Sequence, residues 1–245
     1  MPDGFEGINA VVRSFVGASR TCMRQPEVQA AACGDDSLDM ERASKQQLAE
    51  WARAAAGGGY VGLLRRLLAH GAPVDVVVRG ATAVMAAAMN GQLEALRLLL
   101  AAPGGEAAAI QADEDGDTAL SEAASGGCTA EARLLLQHGA DPNLANNDGN
   151  SPLIAAAMAS GDAGRGVAAL LLDAEADIDH QNKEGSTALH YACKNSNVEV
   201  ARLLLQRGAN KNLRDKDGDG LQNASDYYLK NSVRKEEMLA LLARF

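Results

Sequence analysis

One pattern recurs through this chain, and its fullest copy is Gly185-Ser-Thr-Ala-Leu-His-Tyr-Ala-Cys-Lys-Asn-Ser-Asn-Val-Glu-Val-Ala-Arg-Leu-Leu-Leu-Gln-Arg-Gly-Ala-Asn-Lys-Asn212. Placing each copy on the residue that opens its first apolar run gives Glu50, Thr82, Thr118, Ser151 and Thr187, with a looser sixth start near Asn223. The steps are 32, 36, 33, 36 and 36 residues. A unit that short cannot bury its own apolar face, so the copies must stack on one another to make a core.

Each copy reads mechanically. Thr82, Thr118, Ser151 and Thr187 are good helix N-caps, and Ala83, Ala119, Pro152 or Ala188 follows at the first helical position, where proline is harmless. The alanines after them, such as Ala86 to Ala88 and Ala155 to Ala157, predict a helix that neighbouring units approach closely. A turn (Asn90-Gly91, Gly126-Gly127, Asn195-Ser196) leads to a second helix with three leucines in a row: 98 to 100, 134 to 136, 170 to 172 and 203 to 205. That run covers a wide arc, as a helix touching its partner and two flanking units requires. Gly71, Gly139 and Gly208 stop the second helices; Glu175 stands at the matching place in the fourth copy, where a left-handed stop would strain it. Polar turn formers follow each stop, as in Asp141-Pro-Asn-Leu-Ala-Asn-Asn-Asp-Gly149.

The Gly-x-Thr-Ala-Leu-His of the fifth copy and the Leu-Leu-Leu-x-x-Gly-Ala-Asx of the third and fifth resemble the ankyrin repeat family. The resemblance covers roughly residues 46–245. It implies an all-α solenoid of five to six helix-turn-helix units with projecting finger turns, ending in a capping repeat near residue 220. It further implies noncatalytic protein–protein recognition, as adaptor, scaffold or regulatory subunit, on a concave face made by the fingers and the end of each first helix. Carried onto this chain, the helix positions include Met89, Asn90, Met158, Lys194 and Asn195. The finger positions are Val78, Arg79, Glu114, Asp115, Asp117, Asn147, Asp148, Asn150, Lys183 and Glu184, then Lys216, Asp217 and Asp219. The middle of this face is small and apolar with two adaptable methionines, and its rim is mostly acidic. A protein partner with an apolar anchor and a basic surround fits it.

Composition agrees. Aromatics are 3% of the chain, so Leu, Ala and Val must build the core. A net charge of −9 argues against nonspecific binding to nucleic acid or an anionic membrane. Cys22, Cys33, Cys128 and Cys193 lack the short paired spacing of a zinc site, and Cys193 takes a small buried position, so a reducing, cytoplasmic setting is expected, with nuclear entry open. No apolar run reaches transmembrane length and no signal-peptide core is visible. Arg13, Arg20 and Arg24 hint at a mitochondrial presequence, which Asp3 and Glu6 oppose.

Several features depart from the repeat. Residues 1–45 carry Phe5, Ile8, Val12, Phe15 and Val16 at helical spacing and then lose periodicity, which predicts a cap helix and linker, or a separate partner-binding helix. The second and fourth copies are each three residues longer than a 33-residue period, through Ala101–Ile110 and Ser160–Gly166, expected as loop insertions. Asp215, Asp217, Asp219, Asn223 and Asp226, with Gly220 in the sixth place, match the spacing of a calcium loop and are similar to the calcium strings of EF-hands and thrombospondin type 3 repeats. The EF-hand pattern ends in Glu, whereas this string ends in the shorter Asp226. The alternative is an acidic finger like Asp113-Glu-Asp-Gly116, without a metal or other cofactor. His190 is expected to bond neighbouring backbone, His70 and His138 to sit at helix ends, and His180 to lie in a finger within reach of a partner. Gly57-Gly-Gly59 is a helix-to-helix turn without the strand and Gly-Lys-Ser/Thr of a phosphate loop, and no register brings a nucleophile to a base.

Overall fold

The structure, a computed structural model, describes residues 39–218, Gly220 and residues 233–245. Among these residues it is helical throughout, with only two isolated β-bridges, Val78 with Ala81 and Ala112 with Thr118. Five helix pairs follow in order: α1 (Lys45–Gly57) with α2 (Val61–Ala69), then α3 (Ala83–Met89) with α4 (Leu93–Ala101). A short α5 (Gly105–Ile110) intervenes before α6 (Ala119–Ser125) with α7 (Thr129–Gln137), α8 (Pro152–Met158) with α9 (Gly164–Asp173) and α10 (Ala188–Lys194) with α11 (Val198–Gln206). Helix α12 (Val233–Arg244) closes the described chain.

The first helices stack in one layer, α1 on α3, α3 on α6, α6 on α8 and α8 on α10. The alanine blocks make this possible: in Ala54 to Ala56, Ala86 to Ala88, Ala123, Ala124, Ala156, Ala157, Ala192 and Cys193 no residue is more than 4% exposed. The second helices form the other layer, where Leu64, Leu67, Leu96, Leu99, Leu135, Leu171 and Leu204 are fully buried. Each such leucine is worth about 1.5–3 kcal/mol on leaving water, and the two layers share one continuous core.

Local signals set the boundaries. Thr82, Thr118 and Thr187 each accept from the amide three residues on while the third helical side chain reaches back to the cap amide; Ser151 caps α8 with Pro152 at its first position. Two of the second helices, α7 and α11, are tied to the repeat before them by the residue at their N-terminus. Asn197 is completely buried and donates from Nδ2 to the carbonyls of Ala157 and Ala159, both at 2.8 Å. Cys128 makes the weaker equivalent, Sγ to the Met89 carbonyl at 3.6 Å.

Three expectations need correction. The first helix does not start at Glu50: Ser44 caps it and Lys45 begins it, so the degenerate first copy keeps its alanine register but gains an extra turn. The second-copy insertion is not a loop, because residues 105–110 wind into α5 and bury Ala108 and Ala109. The fourth-copy insertion becomes a 3-10 turn, Gly161–Ala163, and the first turn of α9. Glu175 does adopt the left-handed stop, at φ 62°, and Ser196 does so in a turn where the second and third copies have glycine, at φ 58°. At the C-terminal end α12 lays Met238, Leu241 and Leu242 against α11, covering the last apolar face. Of the cap helix and linker expected at 1–45, residues 1–38 lie outside the described residues, as does the sixth start near Asn223; residues 39–44 form a turn ending in the Ser44 cap.

Candidate partner-binding face

The fingers are built alike from their first residue. Asp113, Asn146, Asn182 and Asp215 each turn a side-chain oxygen onto the amide two residues later, and the first three also take the amide four residues later. This closes each finger into a rigid loop. Neighbouring fingers are then joined edge to edge: the Asn147 amide donates to the Asp115 carbonyl at 2.9 Å, Lys183 to Asp148 at 3.0 Å and Lys216 to Glu184 at 2.9 Å. Gly116, Gly149 and Gly185 permit the approach. Each has φ near 80°, and a β-carbon there would lie within 2.9 Å of the next finger's backbone nitrogen.

A second line of bonds runs beneath. Asn146 Nδ2 donates to Asp117 Oδ1 at 3.0 Å, and Asn182 Nδ2 donates to Asn150 Oδ1 at 2.8 Å and to the Tyr191 hydroxyl at 3.1 Å. That hydroxyl donates to Glu184 Oε2 at 3.3 Å. Asp117 and Asn150, expected as partner contacts, are therefore half-buried members of the array's own network. His180, expected within a partner's reach, donates from Nε2 to the Gly149 carbonyl at 2.9 Å. Arg79 is in the left-handed region at φ 53° and lies 3.9 Å from Glu50. His70 and His138 donate from Nδ1 to the carbonyls of Arg66 and Leu134, and His190 Nδ1 accepts from the Thr187 amide, all as the repeat register predicts.

The rest of the expected face is open. Glu114, Asp115, Asn147, Asp148, Lys183, Glu184 and Asn195 are exposed, while Met89, Asn90, Met158 and Lys194 are half-buried. Asn90 closes back on the Ala86 carbonyl at 2.8 Å, and Lys194 lies 5.6 Å from the Tyr191 ring centre. Of the calcium string, Asp215 and Asp217 form the start of a finger like the others; Asp219, Asn223 and Asp226 lie outside the described residues. Among the described residues no three His, Cys, Asp or Glu are placed to hold a metal ion.

One residue of this face was not expected. Glu122 stands on α6 at the register of Ala54, Ala86, Ala155 and Tyr191. Its Oε2 is buried, and among the described residues no hydrogen bond or ion pair reaches it. Burial pushes its pKa from 4.5 up to about 8, with the charges of Asp117 and Asp113 adding to the rise. Burial also raises Asp113 and Asp117. The sequence signal was a single charge in an otherwise uncharged column. Counting forward from the alanine pair passes over that column, which comes just before it.

The two described thiols show no activation. Burial pushes Cys193 up to about 12, and burial with the charge of Glu131 raises Cys128. Among the described residues no helix is long and apolar enough to cross a membrane.

A family profile of ankyrin repeats in three copies matches residues 51–146 and 132–215. Similar proteins include neurogenic locus notch homolog protein 2 of Homo sapiens, 38% identical over 82 residues, which are 34% of this chain and 3% of that protein. Ankyrin repeat and SOCS box protein 3 of Bos taurus is 36% identical over 168 residues, 66% of this chain and 30% of that one. Ankyrin repeat and KH domain-containing protein mask-1 of Caenorhabditis elegans is 33% identical over 134 residues, 55% of this chain and 5% of that protein. The chain thus spans under a third of each of these relatives.

Proposed function

Because the chain belongs to the ankyrin repeat family, whose members are protein-interaction modules, we propose that it recognises a protein partner through the concave face and finger tips, without catalysis, as an adaptor, scaffold or regulatory subunit. The observation that carries this reading is the fixed finger edge above an open row of side chains. The edge-to-edge bonds hold Glu114, Asp115, Asn147, Asp148, Lys183 and Glu184 at one pitch, exposed and pre-organised. Below them the half-buried Met89 and Met158 offer polarizable apolar contacts at the centre of the face. An apolar centre with a charged rim is the anatomy of a recognition surface in which a few central contacts dominate the affinity. Acidic fingers outnumber basic ones, so the complementary partner surface is basic.

Affinity capture from native extract tests the reading, with wild type compared against a variant carrying Met89→Arg and Met158→Arg at unchanged helicity. Proteins captured by the wild type and lost from the variant support the concave face. If every captured protein survives the double substitution, recognition lies elsewhere on the chain.

A further inference from the structure

Glu122 has an environment that no other carboxylate among the described residues shares. In the register of the repeats its neighbours are Ala86 on α3 and Ala155 on α8, the two helices that flank α6. Small side chains therefore stand on both sides of a long acidic one, in the middle of the concave face. Oε2 is buried and unpartnered. Behind it the finger leaves two further oxygens in hand: Asp113 uses Oδ1 for the amides of Asp115 and Asp117, and Asp117 uses Oδ1 for Asn146 and Ser121. Among the described residues the second oxygen of each makes no hydrogen bond or ion pair. The charged groups on the other helices packed against α6 are Glu106, Glu131, Arg133, Arg165 and Asp173, and none pairs with Glu122. Of all these groups, Asp117 and Asp113 act on it, and both repel its charge.

A buried carboxylate needs a compensating cation, and the described residues supply none to Glu122. A bare metal ion does not suit the site, because no three acidic groups converge closely enough to hold one. A guanidinium or an ammonium on a flexible stem does, since it reaches one carboxylate directly and the two aspartates at longer range.

We propose that Glu122, backed by Asp113 and Asp117, is the receptor for one Arg or Lys side chain of the protein partner. The assignment rests on the concave-face reading above and adds to it the chemistry of the central contact. When the cation arrives, the Glu122 carboxyl gives up its proton to solvent and an ion pair forms in its place. Docking at neutral pH is therefore coupled to the release of about one proton.

Random dodecapeptides displayed on phage, selected on the full chain at pH 7 and then resynthesised, supply the probes. Peptides that bind the face are those weakened by Met89→Arg with Met158→Arg. The expected result is that they share an Arg or Lys whose replacement by citrulline or acetyl-lysine lowers affinity at least tenfold on wild type and less than threefold on Glu122→Gln. Calorimetry in two buffers of different ionisation enthalpy should show close to one proton released with wild type and close to none with Glu122→Gln. On wild type alone, affinity should strengthen as pH rises from 5 to 8. Face-binding peptides that need no cation, that bind Glu122→Gln as tightly as wild type, or whose affinity is flat with pH overturn the assignment and leave the face intact. If selection yields only peptides indifferent to the methionine substitutions, or none, the concave-face reading falls and takes this assignment with it.

Discussion

Replacing Glu122 by Gln should stabilise the protein, and by an amount that depends on pH. Gln keeps the volume of Glu and removes the titration. Below about pH 4.5 the wild-type carboxyl is protonated in the folded and the unfolded chain, and the two proteins should differ little. Between 4.5 and about 8 the unfolded chain releases this proton while the folded chain retains it, so wild-type stability falls as pH rises. Above about 8 both states are ionised and the slope vanishes. Each pK unit corresponds to about 1.4 kcal/mol, so a rise from 4.5 to about 8 sets a ceiling of about 5 kcal/mol. Glu122 is not wholly buried, and water reaching the carboxylate lowers the expected gain to about 2–4 kcal/mol. Urea unfolding followed by helical circular dichroism at pH 4 and pH 8.5 measures the gap, provided the slopes of the two proteins agree. A gap of the same size at both pH values, or a wild type more stable than the variant at pH 8.5, would refute an uncompensated buried acid at this site.

Asn197→Ala leaves the buried carbonyls of Ala157 and Ala159 without their donor and should cost about 2–3 kcal/mol in urea unfolding. Glu175→Gly relieves a left-handed glutamate and should raise stability by about 0.5–1 kcal/mol, since the bond from Asn143 goes to its backbone carbonyl and survives. Millimolar calcium should leave the melting temperature unchanged, because Asp215 caps its own finger as Asp113, Asn146 and Asn182 cap theirs; a clear upward shift would support the calcium loop instead.

Much of this fold is legible in the sequence, and the misses have physical causes. Thr82, Thr118, Ser151 and Thr187 announce their helices because a capping hydroxyl is a local, self-contained signal. The first copy lacks that hydroxyl at its expected place, and a start at Glu50 overlooks Ser44, which sits more than a turn before it. Helix α5 is hidden because Pro103-Gly104-Gly105 spells a turn, and only the burial of Ala108 and Ala109 against the stack makes residues 105–110 helical. On the candidate face, exposed tips such as Asp115 and Asp148 are predicted from the repeat alone. That Asp117 and Asn150 are half-buried and bonded to the next finger is not legible, because a short polar side chain at the base of a finger reaches that finger more easily than it reaches solvent, a choice visible only across repeats.

The edge-to-edge finger bonds begin at Asp115 and run to Lys216; among the described residues no backbone hydrogen bond links the Val78 to Ala81 turn to the finger of residues 113–117. Between those two turns lies α5. The structure is thus mechanically a welded bar with a bolted extension. From the third copy onward helices and fingers must yield together, whereas the first two copies can swing away by giving up side-chain packing and the weak Cys128 to Met89 bond, without breaking a finger bond. Amide exchange should accordingly find the boundary of the cooperative unit at α5, with α1 to α4 opening at lower free energy than α6 to α11.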